Sequence, residues 1–306
     1  MTKATQLQVL LIALLGALAI LAPYAFSQTG SAANYRNVTI RTTVNITNSV
    51  PIVETVTMLT VTLTAGTFKE IQCNATVTDF DGIGTLVNVN ATLFDTTEAN
   101  MTSANDNNNR YSNSSCVQTS ASSITGNYTC SFNVYYYANN GTTWNCTVKA
   151  TDDQTTTGNY STAATVLALL ALNVTPDTID FGNMAVGDIS SSSVEANVTN
   201  FGNIQINLSV RGFGETSGDG LAMKCSQNNI TIGNERFDVN ASMPWASMNA
   251  LDGTTQEVSG FSVIQRTDDA PGGETINSTY WTLRVPVSDN PSGQCNGSLV
   301  FQAEAN

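Results

Sequence analysis

Apolar residues recur at every second position along nearly the whole chain, and this repeat limits the fold more than any other feature. A two-residue repeat is typical of a β-strand with one face in the core and the other in water. Only the N-terminal region departs from it, with a sustained apolar run. We therefore expect an all-β mature chain of short antiparallel strands. The clearest runs are Val38, Ile40, Val44 and Ile46; Ile71, Cys73, Ala75 and Val77; Val87, Val89, Ala91 and Leu93; Trp144, Cys146 and Val148; Val194, Ala196 and Val198; and Ile204, Ile206, Leu208 and Val210.

Turn sequences rich in glycine and asparagine separate these runs, as in Asp79–Gly82 and Asn139–Gly141. Short strands at this spacing indicate antiparallel β-sandwiches. The 306 residues suffice for two of them. An apolar stretch at 166–172 marks the boundary, so we expect sandwiches at 51–168 and 169–306. Because the connection is short and apolar, we expect the two to pack together.

The N-terminus predicts export. Lys3 is followed by an apolar run from Leu7 to Ala22, the pattern of a secretory signal peptide covering residues 1–27 with cleavage after Ser27. Two alternatives stay open. The run could be an uncleaved anchor, since about 20 apolar residues just span a bilayer, or a prepilin-type cut after Lys3 could leave a retained hydrophobic helix. No C-terminal membrane anchor is expected, and residues 28–50 form an N-terminal extension.

Cysteine and histidine usage argues against catalysis. Six cysteines, an even number behind an export signal, predict three disulfides. The chain has no histidine, which removes Ser-His-Asp and Cys-His chemistry and the commonest zinc ligand. We expect no enzyme activity. The net charge of −13, without a basic cluster, also argues against nucleic-acid binding.

The first domain resembles an immunoglobulin sandwich. Cys73 lies mid-strand, and Trp144 precedes Cys146 by two residues, where the inter-sheet disulfide of that fold has an aromatic residue. The resemblance implies a bond between Cys73 and Cys146. Cys116 and Cys130 would then close a loop of about 15 residues, although four cysteines allow three pairings. Cys225 and Cys295 are the pair left in the second domain.

The second domain opens with Val174–Gly182, Ala185–Gly187 and Val198–Asn203. These residues resemble the start of hydin-type immunoglobulin-like modules, which implies a non-enzymatic β-sandwich. As a whole, the chain resembles two-domain surface proteins of uncharacterised role from small-genome archaea. The segments that carry this resemblance are Thr78–Gly82, Asp106–Cys116, Cys130–Tyr137 and Arg266–Asp269.

Asn-x-Ser/Thr sequons are about twice as frequent as chance predicts, and they are candidate N-glycosylation sites. Those within predicted strands fall on the polar phase, where a glycan has room. Alternatively, these asparagines merely cover the wet face of a sheet. The seventeen acceptors are Asn37, Asn45, Asn74, Asn90, Asn100, Asn113, Asn127, Asn140, Asn145, Asn159, Asn173, Asn197, Asn207, Asn229, Asn240, Asn277 and Asn296.

Two further groups of residues are candidate sites. In an immunoglobulin-like fold, Asp79 and Asp81 would share one end of the sandwich with Asp152 and Asp153, and such oxygen ligands suit Ca²⁺. The alternative is turn chemistry, which favours Asp and Gly for its own reasons. The aromatic run 135–137 suggests a carbohydrate-stacking platform, or else rings that face the core or cover an edge.

These features together predict a structural subunit of an extracellular assembly, either a filament or pilus or a surface layer, that polymerises with itself and meets the membrane only through its N-terminal helix. Residues 34–50 alternate cleanly before Pro51, so they could be donated to the sheet edge of a neighbouring subunit. Alternatively, they form an ordinary first strand of their own domain. The second functional candidate is a secreted adhesin or carbohydrate-binding module.

Overall fold

The structure is a computed structural model that describes residues 39–44 and 47–306. The predicted signal peptide and the acceptors Asn37 and Asn45 lie outside the described residues. Residues 48–306 form one compact unit. Its regular structure consists of antiparallel sheets and three short 3-10 turns, which confirms the predicted all-β fold.

The first part of this unit is a sandwich of two four-stranded sheets. One sheet has the strand order β1-β2-β6-β5 and the other β4-β3-β7-β8. The strands are β1 (Ile52–Met58), β2 (Phe68–Thr78), β3 (Leu86–Asp95), β4 (Arg110–Asn113), β5 (Val117–Ala121), β6 (Thr125–Tyr135), β7 (Gly141–Asp152) and β8 (Thr157–Val166).

The inward phase of these strands forms the core, as the alternation predicted. Val77 and Val134 come from one sheet, Leu93 and Trp144 from the other, and all four are fully buried. Val87 is an exception: its side chain is 63% exposed. The register of β3 against β7 shifts between Leu86 and Asn88, and this bulge takes Val87 off the inward phase.

The edge of this sandwich is closed by the segment that follows β1. Val61 is fully buried and forms a parallel bridge with Val166 of β8. Its N–H donates to the Thr165 carbonyl at 2.8 Å, and its own carbonyl accepts from the Leu167 N–H at 2.9 Å. The chain thus crosses from one sheet to the other and covers the core between them.

The second part, which we call the second sandwich, contains a five-stranded sheet of order β15-β14-β17-β10-β9 and two three-stranded sheets of order β16-β11-β19 and β13-β12-β18. Its largest fully buried side chain is Trp281 of β17. The strands are β9 (Leu172–Thr175), β10 (Val194–Asn200), β11 (Ile206–Phe213), β12 (Leu221–Gln227), β13 (Asn229–Thr231), β14 (Glu235–Asp238), β15 (Asn249–Ala250), β16 (Gln256–Val263), β17 (Ile276–Leu283), β18 (Ser292–Asn296) and β19 (Ser298–Ala305).

A glycine joins the last two strands. A Cβ on Gly297 would lie 2.0 Å from the Ala222 carbonyl oxygen, so only glycine lets the backbones approach this closely. β18 pairs with β12 before this point, and β19 pairs with β11 after it.

The N-terminal extension forms no strand in its described residues 39–44 and 47–50. Ile40 is 78% exposed and Val44 is 83% exposed. The prediction that this run is a half-buried strand is therefore wrong for the described residues. The alternation is present in the sequence, but none of the sheets described above includes these positions.

The two sandwiches are in contact through polar and aromatic groups near the boundary. Asn203, which is fully buried, donates from its amide nitrogen to the carbonyls of Ala138 (2.9 Å) and Leu167 (3.1 Å). Its Oδ1 accepts from the Leu169 N–H at 2.6 Å. One side chain of the second sandwich therefore holds the first sandwich and the connecting segment.

Aromatic rings complete the same contact. The ring of Tyr136 meets that of Phe201 edge-on, with centroids 5.6 Å apart. The Arg266 guanidinium lies over the Tyr137 ring, 4.7 Å from its centroid, which is a cation–π geometry. Tyr136 and Tyr137 are only 4% and 1% exposed. Two of the three tyrosines considered for sugar stacking are thus buried, and the run agrees with the alternative of rings that cover an edge.

Candidate functional site

The four aspartates considered for calcium lie at one end of the first sandwich. Asp79 and Asp81 belong to the β2–β3 connection, while Asp152 ends β7 and Asp153 follows it. Thr85 joins the two groups: its hydroxyl donates to Asp79 Oδ2 at 3.1 Å, and its carbonyl accepts from the Asp153 N–H at 2.9 Å.

The oxygens of these carboxylates accept hydrogen bonds from the protein. Asp152 receives the Asn48 amide at 2.7 Å and the Thr156 N–H at 2.7 Å. Burial alone would raise the pKa of Asp152, but the hydrogen bonds from Asn48 and Thr156 outweigh it and hold the pKa below its usual value. Asp81 accepts from the Ser49 N–H. The aspartates therefore fix the chain where the extension meets the first sandwich.

Among residues 39–44 and 47–306, no three acidic, cysteine or histidine side chains gather closely enough to hold a metal ion. Asp79 also accepts from the Asp81 N–H at 3.0 Å, the hydrogen bond of an Asx turn. The observed contacts are those of turn chemistry, and calcium binding stays a prediction.

The disulfides join the same pairs as those named from the sequence. Cys73 of β2 bonds Cys146 of β7, which ties the two sheets of the first sandwich together. The other two bonds join Cys116 to Cys130 and Cys225 to Cys295. Stable disulfides indicate an oxidising compartment outside the cytosol.

Fifteen of the seventeen sequon asparagines lie in the described part of the chain, and none of them is buried. Occupancy by glycans stays a prediction. The exposed acceptors are Asn74, Asn100, Asn127, Asn140, Asn159, Asn173, Asn240, Asn277 and Asn296, and the half-buried ones are Asn90, Asn113, Asn145, Asn197, Asn207 and Asn229.

A large groove opens in the second sandwich beside β9 and β19. Its volume is about 1390 Å³, whereas small-molecule sites usually measure roughly 300–1,000 Å³. Leu172 and Val174 line it from β9, Leu299 and Phe301 from β19, and Phe181 from the segment between β9 and β10. All five side chains are half-buried. The groove thus exposes part of the core of this sandwich.

One ionisable side chain among the groove residues is almost completely buried. Glu235, at the start of β14, is 3% exposed. Within the described residues its carboxyl accepts no hydrogen bond, and desolvation raises its pKa from 4.5 to about 8. The sequence did carry a signal for this site, because Glu235 occupies the same alternating phase as the buried Phe237, where a charge is unusual.

We expect replacement of Glu235 by glutamine to flatten the pH dependence of stability. Above pH 4.5 the unfolded carboxyl ionises while the buried one stays protonated, so the free energy of unfolding falls until the pH passes the folded pKa. Between pH 5 and pH 8, this carboxyl should lower the free energy of unfolding of the wild type by on the order of 3 kcal/mol. Urea unfolding at both values measures this cost.

Glu257→Gln is the matched control, since it makes the same change at an exposed glutamate of β16. In this control, the free energy of unfolding should fall with pH along the same slope as in the wild type. If Glu235→Gln also leaves that slope unchanged, the carboxyl is not buried in the folded protein.

No helix among the described residues is long and apolar enough to cross a membrane. No family model matches the sequence, and no curated protein matches it. Among solved structures, it is similar to a chain from a chaperone–tip adhesin complex described as vital for the synergistic activation of CFA/I fimbriae biogenesis. The identity is 13% and the TM-score 0.27, with 81% of this chain and 78% of the other covered. What this chain does must be inferred from its own residues.

Proposed function

We propose that the protein is a structural subunit of an extracellular assembly, a filament or a surface layer, and that copies are joined by β-strand donation from the N-terminal extension. The observation that carries this proposal is the exposure of Ile40 and Val44, at 78% and 83%. Apolar side chains at alternating positions favour a half-buried strand, yet both side chains are in solvent.

Two other features support an extracellular structural role. Three disulfides suit a protein that works outside the cell. The surface position of the described sequons allows glycans on the sheet faces, where they would shield exposed strands from unwanted pairing. The adhesin alternative has less support, because Tyr136 and Tyr137 are buried in the contact between the sandwiches.

We expect the variant Ile40→Gln with Val44→Gln to fold normally but to lose assembly, because glutamine removes the apolar face that the neighbour would bury. Electron microscopy and sedimentation of the purified full chain measure this loss. Deletion of residues 33–49 should have the same effect.

The matched control, Arg41→Lys with Thr43→Gln, alters the opposite phase of the same segment and keeps its charge. It should assemble like the wild type. Filaments or layers that persist after the deletion would sink strand donation. A wild-type chain that stays monomeric and binds one sugar on a glycan array would support the adhesin instead.

A further inference from the structure

The two sandwiches differ in how the edge next to their first strand is closed. In the first sandwich Val61 hydrogen-bonds to β8 and covers the core. In the second, the residues after β9 line the groove but form no bridge with β19 in the described part of the chain. Among the strands of residues 48–306, β19 is an edge strand that pairs with β11 on one side and with no strand on the other. Its free edge offers backbone donors and acceptors to an added strand.

The groove floor suits an apolar face of a strand. Leu299 and Phe301 lie two positions apart on β19, on the same face, and both line the groove. A strand added to β19 would place alternate side chains on the same face as Leu299 and Phe301, in the groove that Leu172 and Val174 also line. The eight residues of β19 extend over about 26 Å.

The extension of this same protein has the required length and phase. Its apolar positions Val38, Ile40, Val44 and Ile46 all share one phase and cover nine residues, from 38 to 46, against the eight of β19. Arg36 belongs to the same phase, whereas Arg41 belongs to the opposite one.

The charge of the N-terminal segment is also opposite to that of the groove. Residues 1–53 hold three of the 11 basic residues and none of the 24 acidic ones, which leaves 8 basic and 24 acidic residues, a net charge of −16, in residues 54–306. The acidic residues that line the groove are the exposed Asp177 and Asp180 and the buried Glu235, and no lysine or arginine lines it among the described residues. A basic segment is therefore attracted to the groove.

We propose that the groove between β9 and β19 accepts residues 34–47 of a second copy as an added strand on β19, with the apolar phase inward and Arg36 paired with the carboxyl of Glu235. This assignment rests on the proposed function and names its acceptor surface. The buried carboxyl accepts no hydrogen bond from the described residues; beside the Arg36 guanidinium it would release its proton and become a paired charge.

Cross-linking tests the acceptor surface directly. A copy with Val44→Cys is mixed with a copy with Leu299→Cys under mild oxidation. We expect a disulfide between the two copies, in a yield roughly 10-fold or more above that of Val44→Cys mixed with Val117→Cys, because docking raises the local thiol concentration. Val117 is 67% exposed and lies in the first sandwich.

A matched pair of arginine variants tests the ion pair, because each removes one positive charge. Arg36→Gln should raise the critical concentration for assembly at least ~10-fold, since it leaves a buried carboxyl unpaired. Arg41→Gln, on the opposite phase, should raise it no more than ~5-fold. In a Glu235→Gln background, the effect of Arg36→Gln should shrink to that of Arg41→Gln.

The outcomes separate this proposal from the function on which it rests. If the extension variants abolish assembly but Val44→Cys links equally to both positions, strand donation stands and the groove is the wrong acceptor. If a chain carrying both Val44→Cys and Leu299→Cys links only to itself at high dilution, donation to a second copy is wrong. Equal effects of the two arginine variants would overturn the Arg36–Glu235 pair.

Discussion

Replacement of Asn203 by alanine is expected to lower stability by about 4 kcal/mol and to uncouple the two sandwiches. The side chain makes three hydrogen bonds to backbone groups of Ala138, Leu167 and Leu169. Alanine would leave these groups without partners, and each unpaired buried group costs roughly 1–3 kcal/mol. Calorimetry should therefore show two transitions in the variant where the wild type shows one.

Asn200→Ala is the matched control. Asn200 is also fully buried and also donates to two backbone carbonyls, but both belong to the second sandwich, at Ile204 and Val263. We expect this variant to lower the stability of the second sandwich. Asn203→Ala should speed proteolysis between residues 167 and 171, the segment that its side chain holds, and Asn200→Ala should not. Equal cleavage in both variants would mean that Asn203 does not couple the sandwiches.

Removal of the Cys73–Cys146 disulfide by alanine at both positions is the second large effect that we expect. The bond closes a loop with a sequence separation of 73 residues, and chain entropy alone predicts a loss of about 4 kcal/mol. Both cysteines are fully buried between the sheets. Urea unfolding under non-reducing conditions measures the loss.

The matched comparison is alanine at Cys116 and Cys130. This disulfide has a sequence separation of only 14 residues, so we expect a smaller loss of about 3 kcal/mol. The two double variants remove the same atoms, and they differ mainly in the length of the chain constrained. If the short loop proves the more costly to open, loop closure does not control the stability of this sandwich.

The alternating pattern predicted much of the first sandwich. Val77, Leu93 and Val148 were assigned inward from their phase alone, and all three are fully buried. This works because the side-chain period of a strand is two, so a local pattern reports burial directly. The prediction for Val87 was wrong because the bulge arises from how β3 pairs with β7. The local pattern contains no information about that pairing.

The candidate site was less predictable. The extension was recognised from its alternation, but that alternation could not tell whether its own chain would cover it. The groove depends on the free edge of β19 and on residues 172–186, which are more than a hundred positions apart. Glu235 carried only the weak signal of a charge on an apolar phase.

The sequence by itself determined the strand period, the even number of cysteines and the absence of histidine, because each is a property of composition or of near neighbours, and it predicts the export signal on the same basis. Only the tertiary structure decided which edges are closed. Val61 illustrates the difference: it follows β1 of one sheet, yet it hydrogen-bonds to the end of β8 in the opposite sheet. Pairings of this kind depend on how distant strands stack, and a period of two residues carries no information about stacking.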